Sequence, residues 1–168
     1  MLKTPRGPIS KVATPLASLV VFVVGGKRLA ARAEEIGGVR AWSPALPVPS
    51  RTPFISAVVR YGDEVLPVYD LAARLGVRIA EGDPLCLFAK RRDGVMAVRI
   101  DAEIPTLHAV DPAGIRPASS QDPDMAGTCM IGGEAVPVYS LATLGLEARP
   151  NGPAVSVHER DGRKSAMM

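Results

Sequence analysis

The chain has 168 residues and a mass of 17.6 kDa, enough for one ordinary domain or two small packed subdomains. Apolar residues make up 47% of it but aromatic residues only 4%, so its core must consist mainly of Val, Leu, Ile and Ala, which favours strands. The net charge of +3 is spread along the chain without a basic tract and does not indicate a nucleic-acid partner.

Residues that commonly carry catalysis or bind metals are few. Two cysteines, Cys86 and Cys129, and two histidines, His108 and His158, do not have the spacing of a zinc site. No cluster of titratable residues indicates an active site, so we expect no catalytic residues, no metal and no cofactor. The apolar run from Leu16 to Val24 is far shorter than the roughly 20 residues of a membrane helix. We therefore expect a cytoplasmic protein that does not insert into a membrane.

Short apolar runs alternate with turn signals along most of the chain, a pattern typical of small β-barrels and sandwiches. Residues 1–16 are rich in Lys, Pro and Gly and predict a flexible N-terminal extension, and residues 149–168 predict a flexible C-terminal tail. The predicted strands between them are Leu19–Val24, Phe54–Arg60, Glu64–Tyr69, Leu85–Ala89, Val95–Ile100, Thr128–Ile131 and Glu134–Tyr139.

One segment of the sequence occurs twice. Ala57–Gly76 aligns without gaps on Gly127–Leu146 at an offset of 70, and both copies contain Pro-Val-Tyr-x-Leu. Each copy predicts a strand, a glycine-containing hairpin turn and a second strand. Asp70 or Ser140 then follows as a helix N-cap. The expected helical turns are Leu71–Leu75 and Leu141–Leu144.

An apolar strand with a phenylalanine, Phe22 or Phe88, precedes each copy and is followed by a turn and a partner strand. Each half therefore has about five strands, which is enough to curl into a small barrel. We expect an all-β domain over residues 17–148. Its first lobe would cover about 17–80 and its second about 81–148, with an exchange of terminal strands left open.

Several segments carry a resemblance through their order and spacing. Phe54–Leu71 contains Phe, a small residue, Val, a loop and then Val-x-Pro-hydrophobic-x-Asp-Leu. Leu19–Val24 lies before it, and Ile100-Asp101 and Gly114–Ala118 follow. Together these segments resemble the CheW family of chemotaxis coupling proteins. The resemblance implies two intertwined SH3-like, five-stranded β-barrel subdomains with short helical turns.

The resemblance also implies a function and two binding sites. The function is that of a non-enzymatic adaptor between chemoreceptor cytoplasmic tips and the regulatory domain of a CheA-type histidine kinase, at receptor arrays on the inner face of the membrane. By position, the receptor-binding groove would contain Ile36, Val39, Ala57 and Val58. The kinase-binding hairpin would contain Arg60, Tyr61, Gly62, Asp63 and Val65.

Two aromatic residues lie near these predicted sites. Tyr61 is at the hairpin tip, where few neighbours are available to cover it, so we expect it to be an exposed contact. Trp42 lies in a proline-rich segment and either covers the first barrel or anchors a partner.

Two positions depart from the family pattern. The arginine that the family commonly has in the turn of the first copy is replaced by Gly62, and a family glutamate falls on Gly38. Losing two opposite charges together leaves neither one unpaired, so the fold is not threatened. The departures favour, as an alternative, a divergent CheW-like adaptor or inhibitor in another receptor–kinase pathway, such as surface motility. A small ligand-binding barrel with a pocket between the lobes is a further alternative.

Overall fold

The computed structural model describes residues 13–146. The tail expected at 149–168 lies outside the described residues, as does the extension expected at 1–16 except for residues 13–16. Helix α1 covers Leu71–Arg74, and two 3-10 turns cover Ala33–Glu35 and Pro112–Gly114. The strands of the described part are β1 (Ala17–Val24), β2 (Lys27–Arg32), β3 (Ile36–Ala41), β4 (Leu46–Pro47), β5 (Ile55–Tyr61), β6 (Glu64–Tyr69), β7 (Leu85–Arg91), β8 (Gly94–Ile100), β9 (Thr106–Val110), β10 (Ile115–Pro117), β11 (Met125–Ile131) and β12 (Glu134–Tyr139).

Every strand expected from the apolar runs is present, and glycines close the hairpins between them. Gly25 and Gly26, between β1 and β2, have φ values of +57° and +78°. Gly132 and Gly133, between β11 and β12, have φ values of +61° and +80°. Two consecutive positive φ values define a type I′ turn, whose twist matches that of the flanking strands. The turn residues therefore determine where each apolar run folds back on the next.

The strands form two six-stranded sheets. The first has the order β10-β11-β12-β2-β1-β9 and the second the order β3-β7-β8-β6-β5-β4. We call the first sheet the terminal lobe, because it combines strands from both ends of the fold, and the second the central lobe. Each sheet includes one very short strand, β10 in the terminal lobe and β4 in the central lobe. The other five strands of each sheet match the number expected for each barrel. The all-β class is confirmed.

The two lobes are not consecutive halves of the chain. The lobe boundary expected at about residue 80 left an exchange of terminal strands open, and β1 and β2 do pair with β9 and β12 from the C-terminal half. The physical reason is that this hairpin is apolar on both faces. Leu19 and Val21 pack inside the terminal lobe, and Phe22 and Val24 pack between the lobes. A hairpin buried on both faces must lie inside a sheet, not at its edge.

The described residues bury three apolar cores. The largest lies between the lobes and joins Phe22 of β1 to Leu87 of β7 and Tyr139 of β12. The terminal lobe has its own core around Val136, and the central lobe has one around Val59. The lobes are thus held to each other by a shared hydrophobic core.

The two repeat copies keep equivalent backbone contacts at the offset of 70 residues. The N–H of Asp70 donates to the carbonyl of Phe54, and the N–H of Ser140 donates to the carbonyl of Asp124, each at 2.8 Å. These bonds tie the end of the second repeat strand to the residue that precedes the first. The sequence repeat is therefore also a repeat of local structure.

The copies differ after their strands. Asp70 caps α1 as expected, because its carboxylate accepts a hydrogen bond from the N–H of Ala73 at 2.9 Å. At Leu141–Leu144 the expected helical turn is replaced by hydrogen-bonded turns without a helix, and the side chain of Ser140 does not cap this segment. The carboxylate of Glu35 instead accepts from the first N–H of that segment at 2.8 Å. A distant side chain replaces the local cap, which a local pattern cannot indicate.

Candidate interaction surface

One end of the central lobe carries a cavity of about 470 Å³, which we call the hairpin cavity. Strand β3 forms one side of it, the β5–β6 hairpin another, and β7 and β8 supply single residues. Its lining residues are Gly37, Gly38, Val39, Arg40, Tyr61, Glu64, Leu66, Phe88 and Val95. Apolar side chains therefore surround an opening with one charge of each sign.

Two glycines of β3 leave space in this cavity beside Phe88 of the neighbouring strand β7. A Cβ atom on Gly37 would lie 3.4 Å from Cβ of Phe88, and one on Gly38 would lie 3.7 Å from Cδ2 of the same ring. Beside them Val39 is 37% exposed and Val95 is 41% exposed. Exposed apolar side chains around a concave surface are typical of sites that bind a partner.

Tyr61 is not the exposed hairpin-tip contact that the sequence predicts. Its hydroxyl donates to the carbonyl of Ala41 at 3.0 Å and accepts from the N–H of Ser43 at 3.1 Å. Its ring packs edge-on against Phe88, with centroids 5.1 Å apart. Burial raises the pKa of Tyr61 to about 12. Tyr61 thus fixes the wall of the cavity and is half-buried.

The other residues of the predicted kinase-binding hairpin face solvent. Arg60, Gly62 and Asp63 are exposed, and Val65 is 62% exposed. The guanidinium of Arg60 donates through Nε to the carbonyl of Gly62 at 2.9 Å. Gly62 has a φ of +59°, a conformation that an arginine side chain would strain. The hairpin therefore presents an apolar side chain beside a short charged turn.

The four residues of the predicted receptor groove do not share one cavity. Val39 lines the hairpin cavity, whereas Ala57 lines a second cavity of the same lobe. Ile36 packs against the core between the lobes. Val58 lies opposite Pro67 on β6. The missed signal is the pair of glycines in β3, because two consecutive residues without side chains leave space beside the neighbouring strand, where Phe88 pairs with Gly38.

Residues considered for catalysis and metal binding are isolated. Within residues 13–146, no group of His, Cys, Asp and Glu could hold a metal ion. Cys86 and Cys129 are buried free thiols, and burial raises the pKa of Cys86. The Nε2 atom of His108 forms a hydrogen bond with the hydroxyl of Thr106 at 2.9 Å. In the same part of the chain no helix is long and apolar enough to cross a membrane.

Two β lobes with a shared core, and a cavity with exposed valines at its edge, are typical of a protein-interaction module. The chain belongs to the CheW-like domain family, whose pattern it matches over residues 18–147. Proteins of this family are scaffolds without enzymatic activity, which confirms the expectation of a non-enzymatic adaptor. The resemblance noted in the sequence is thereby confirmed as well.

Two curated relatives carry chemotaxis names. The chain is 28% identical over 110 residues to the chemotaxis protein CheW of Rhizobium meliloti (strain 1021), covering 64% of this chain and 68% of that protein. It is 26% identical over 132 residues to the probable chemotaxis protein CheW of Rhizobium etli (strain ATCC 51251 / DSM 11541 / JCM 21823 / NBRC 15573 / CFN 42), covering 77% and 84%.

A solved structure has the same fold. The scaffolding protein TtCheW from Thermoanaerobacter tengcongensis matches with a TM-score of 0.66 over 78% of this chain and 92% of that one. At 17% identity this likeness shows the fold alone. It confirms two SH3-like β subdomains with few helices.

Proposed function

We propose that the chain is a chemotaxis adaptor that couples chemoreceptors to a CheA-type histidine kinase. The observation that carries this proposal is the match to the CheW-like domain family over nearly all of the described residues, together with the chemotaxis names of the curated relatives. The place of action would be the cytoplasm, at receptor arrays on the inner face of the membrane.

The hairpin cavity is the best candidate for receptor contact. Val39 and Val95 are its exposed apolar residues, and Phe88 lies beside the two glycines on the neighbouring strand. An amphipathic helix binds such a surface by placing its apolar face in the depression. The exposed Val65 belongs to the hairpin proposed for the kinase, on the second strand beside the turn.

A pull-down from the lysate of the same cells, with partners identified by mass spectrometry, tests this proposal. Val39→Glu is a sharper variant than Ile36→Glu, because Ile36 packs against the core and its change would also affect folding. Leu107→Glu is the matched control, since Leu107 is 68% exposed on the terminal lobe. We expect wild type and Leu107→Glu to recover a receptor and a kinase, and Val39→Glu to lose the receptor.

A second variant separates the two partners. Val65→Glu places a charge on the exposed strand beside the hairpin turn and is expected to lose the kinase but keep the receptor. Equal recovery of both partners by all variants would reject the assigned surfaces. Recovery of neither partner by wild type would reject the adaptor role itself.

Gly38 and Gly62 favour a second candidate, a divergent adaptor or inhibitor in another receptor–kinase pathway. Gly38 lines the hairpin cavity and Gly62 forms its neighbouring turn, so the surface lacks the two charges that the family commonly has there. The same pull-down distinguishes this candidate. It requires that the recovered receptor and kinase belong to a motility system other than chemotaxis.

A further inference from the structure

The central lobe has a second cavity, of about 510 Å³, which we call the Trp42 cavity. Its apolar lining includes Ala57, Val68 and Ile79. Trp42 forms part of the wall and packs against the core of the central lobe. A volume of this size is within the range of sites that bind small ligands or peptide side chains.

Two arginines give this cavity a positive rim. Arg99 lies over the ring of Trp42, with its Cζ atom 5.4 Å from the ring centroid, and Arg78 lines the same cavity. Neither guanidinium forms an ion pair with a carboxylate of residues 13–146. Asp70 is the one acidic residue of the lining, and its carboxylate already accepts a hydrogen bond as the cap of α1. The local charge is therefore +1, next to an apolar floor.

We propose that the Trp42 cavity binds an acidic peptide segment of a partner protein, in which a glutamate or aspartate follows or precedes an apolar residue. The apolar side chain would lie on the floor of the cavity, and the carboxylate would accept hydrogen bonds from Arg78 and Arg99. Arginine is suited to this task because its planar group binds a carboxylate through two parallel bonds. The stacking of Arg99 on Trp42 holds one of the two groups in place before binding.

A peptide fits better than a free small molecule because the cavity is open to solvent. Both arginines are exposed, as is Ser56 on its wall, so a chain can enter and leave across the rim. This inference rests on the proposed adaptor function only in taking a protein as the source of the carboxylate. The cavity is separate from the hairpin cavity, with which it shares no lining residue.

The sequence provides a direct readout, because Trp42 is the single tryptophan of the chain. We would titrate the full-length protein with the peptide acetyl-Gly-Leu-Glu-Leu-Gly-amide and record tryptophan fluorescence. A saturable change in fluorescence is expected. The same peptide with Gln in place of Glu should bind with an affinity at least about fivefold lower. Raising NaCl from about 0.05 M to about 0.5 M should also weaken binding.

Arg78→Gln is the diagnostic variant, because it removes one guanidinium without touching the fluorophore contact of Arg99. It should weaken binding of the acidic peptide about fivefold or more, whereas Arg32→Gln, on the terminal lobe, should leave binding unchanged. Both residues are exposed, so both variants should unfold at the wild-type temperature. Isothermal titration calorimetry of the same proteins measures the affinity independently of fluorescence.

Three outcomes would overturn the inference: no binding of the acidic peptide, equal binding of the Glu and Gln peptides, or binding of hexanoate but of neither peptide. The last outcome would assign the cavity to a free organic acid. Failure here leaves recovery of receptor and kinase in the pull-down unchanged. Failure of the pull-down with intact peptide binding would reject the adaptor role alone.

Discussion

Arg74 of helix α1 donates from its guanidinium to the carboxylate of Asp124, a residue with no exposed surface. Because α1 directly follows β6 of the central lobe and Asp124 directly precedes β11 of the terminal lobe, the pair joins the two lobes. Arg74 also pairs with Asp122, and its own side chain is only 13% exposed. The hydroxyl of Tyr139 donates to Asp122 at 3.4 Å and extends the network.

Breaking this buried pair should be costly. Arg74→Met would leave the carboxylate of Asp124 buried without its charged partner and is expected to lower the free energy of unfolding by about 3–5 kcal/mol. Arg60→Met is the matched control, because the Arg60–Asp63 pair is 3.9 Å apart with an arginine 71% exposed. The control should change stability by about 1 kcal/mol or less. Urea unfolding measures the stability of both variants. Equal losses of stability in Arg74→Met and Arg60→Met would contradict the structural role of the Arg74–Asp124 pair.

Two adjacent glycines of the β1–β2 turn should respond differently to alanine. A Cβ atom on Gly25 would lie 2.6 Å from Cγ2 of Val77 and 2.7 Å from the carbonyl oxygen of Arg78, whereas one on Gly26 would meet nothing within 4 Å. Both glycines have positive φ, so Gly26→Ala should lower the free energy of unfolding by about 1–2 kcal/mol. Gly25→Ala should lower the free energy of unfolding by about 1–3 kcal/mol more than that, because the backbone at Arg78 must move. Thermal melts that give equal shifts would contradict the close approach of this turn to the segment after α1.

Asp101 fastens the same turn to the central lobe. Its carboxylate accepts hydrogen bonds from the N–H groups of Gly25, Gly26 and Ala80, at 3.0, 2.8 and 3.0 Å, and the residue is 5% exposed. Asp101→Ala should therefore destabilise the fold by at least about 2–3 kcal/mol, because three donors lose a charged acceptor.

Asp111→Ala provides the matched control for this change. Asp111 is also an aspartate that accepts from the backbone, but its single bond, to the N–H of Ala113 at 2.9 Å, is exposed. Its removal should cost about 1 kcal/mol or less. Hydrogen exchange should show faster exchange at Gly25 and Gly26 in Asp101→Ala only. Protected turn amides in that variant would contradict the assigned role of the carboxylate.

The tyrosines should make stability fall at high pH. Burial raises the pKa of each of Tyr61, Tyr69 and Tyr139, that of Tyr61 to about 12, above the value of about 10 in an unfolded chain. A raised pKa means that the folded state favours the neutral phenol. This stabilisation is complete below about pH 10 and is lost as the pH rises towards 12.

Tyrosinate absorbance at alkaline pH, followed with urea unfolding at each pH, measures this dependence. The chain has three tyrosines, which near pH 10 should be little ionised in the native protein and about half ionised once it is unfolded. Tyr61→Phe should remove about a third of the absorbance change. A native protein that titrates like free tyrosine would show that the hydroxyls are accessible.

The positions of strands and turns could be predicted because they depend on local chemistry. Alternating apolar residues, paired glycines and the cap at Asp70 act over a few residues, and each is present where the sequence indicates it. The repeat at an offset of 70 likewise predicts the equivalent bonds at Asp70 and Ser140. By contrast, the exposure predicted for Tyr61 is wrong, because Phe88 and Ala41 approach it from strands distant in sequence.

The sequence by itself therefore determined the class of fold, the internal repeat and the resemblance to the CheW family, since each depends on residue types at short or fixed spacing. Only the tertiary structure decided which strands share a lobe, because a hairpin that is apolar on both faces can be buried in more than one way. It also decided that Ile36, Val39 and Ala57 lie apart and that Glu35 caps a turn far along the chain. Such contacts depend on the packing of whole sheets, which local patterns do not encode.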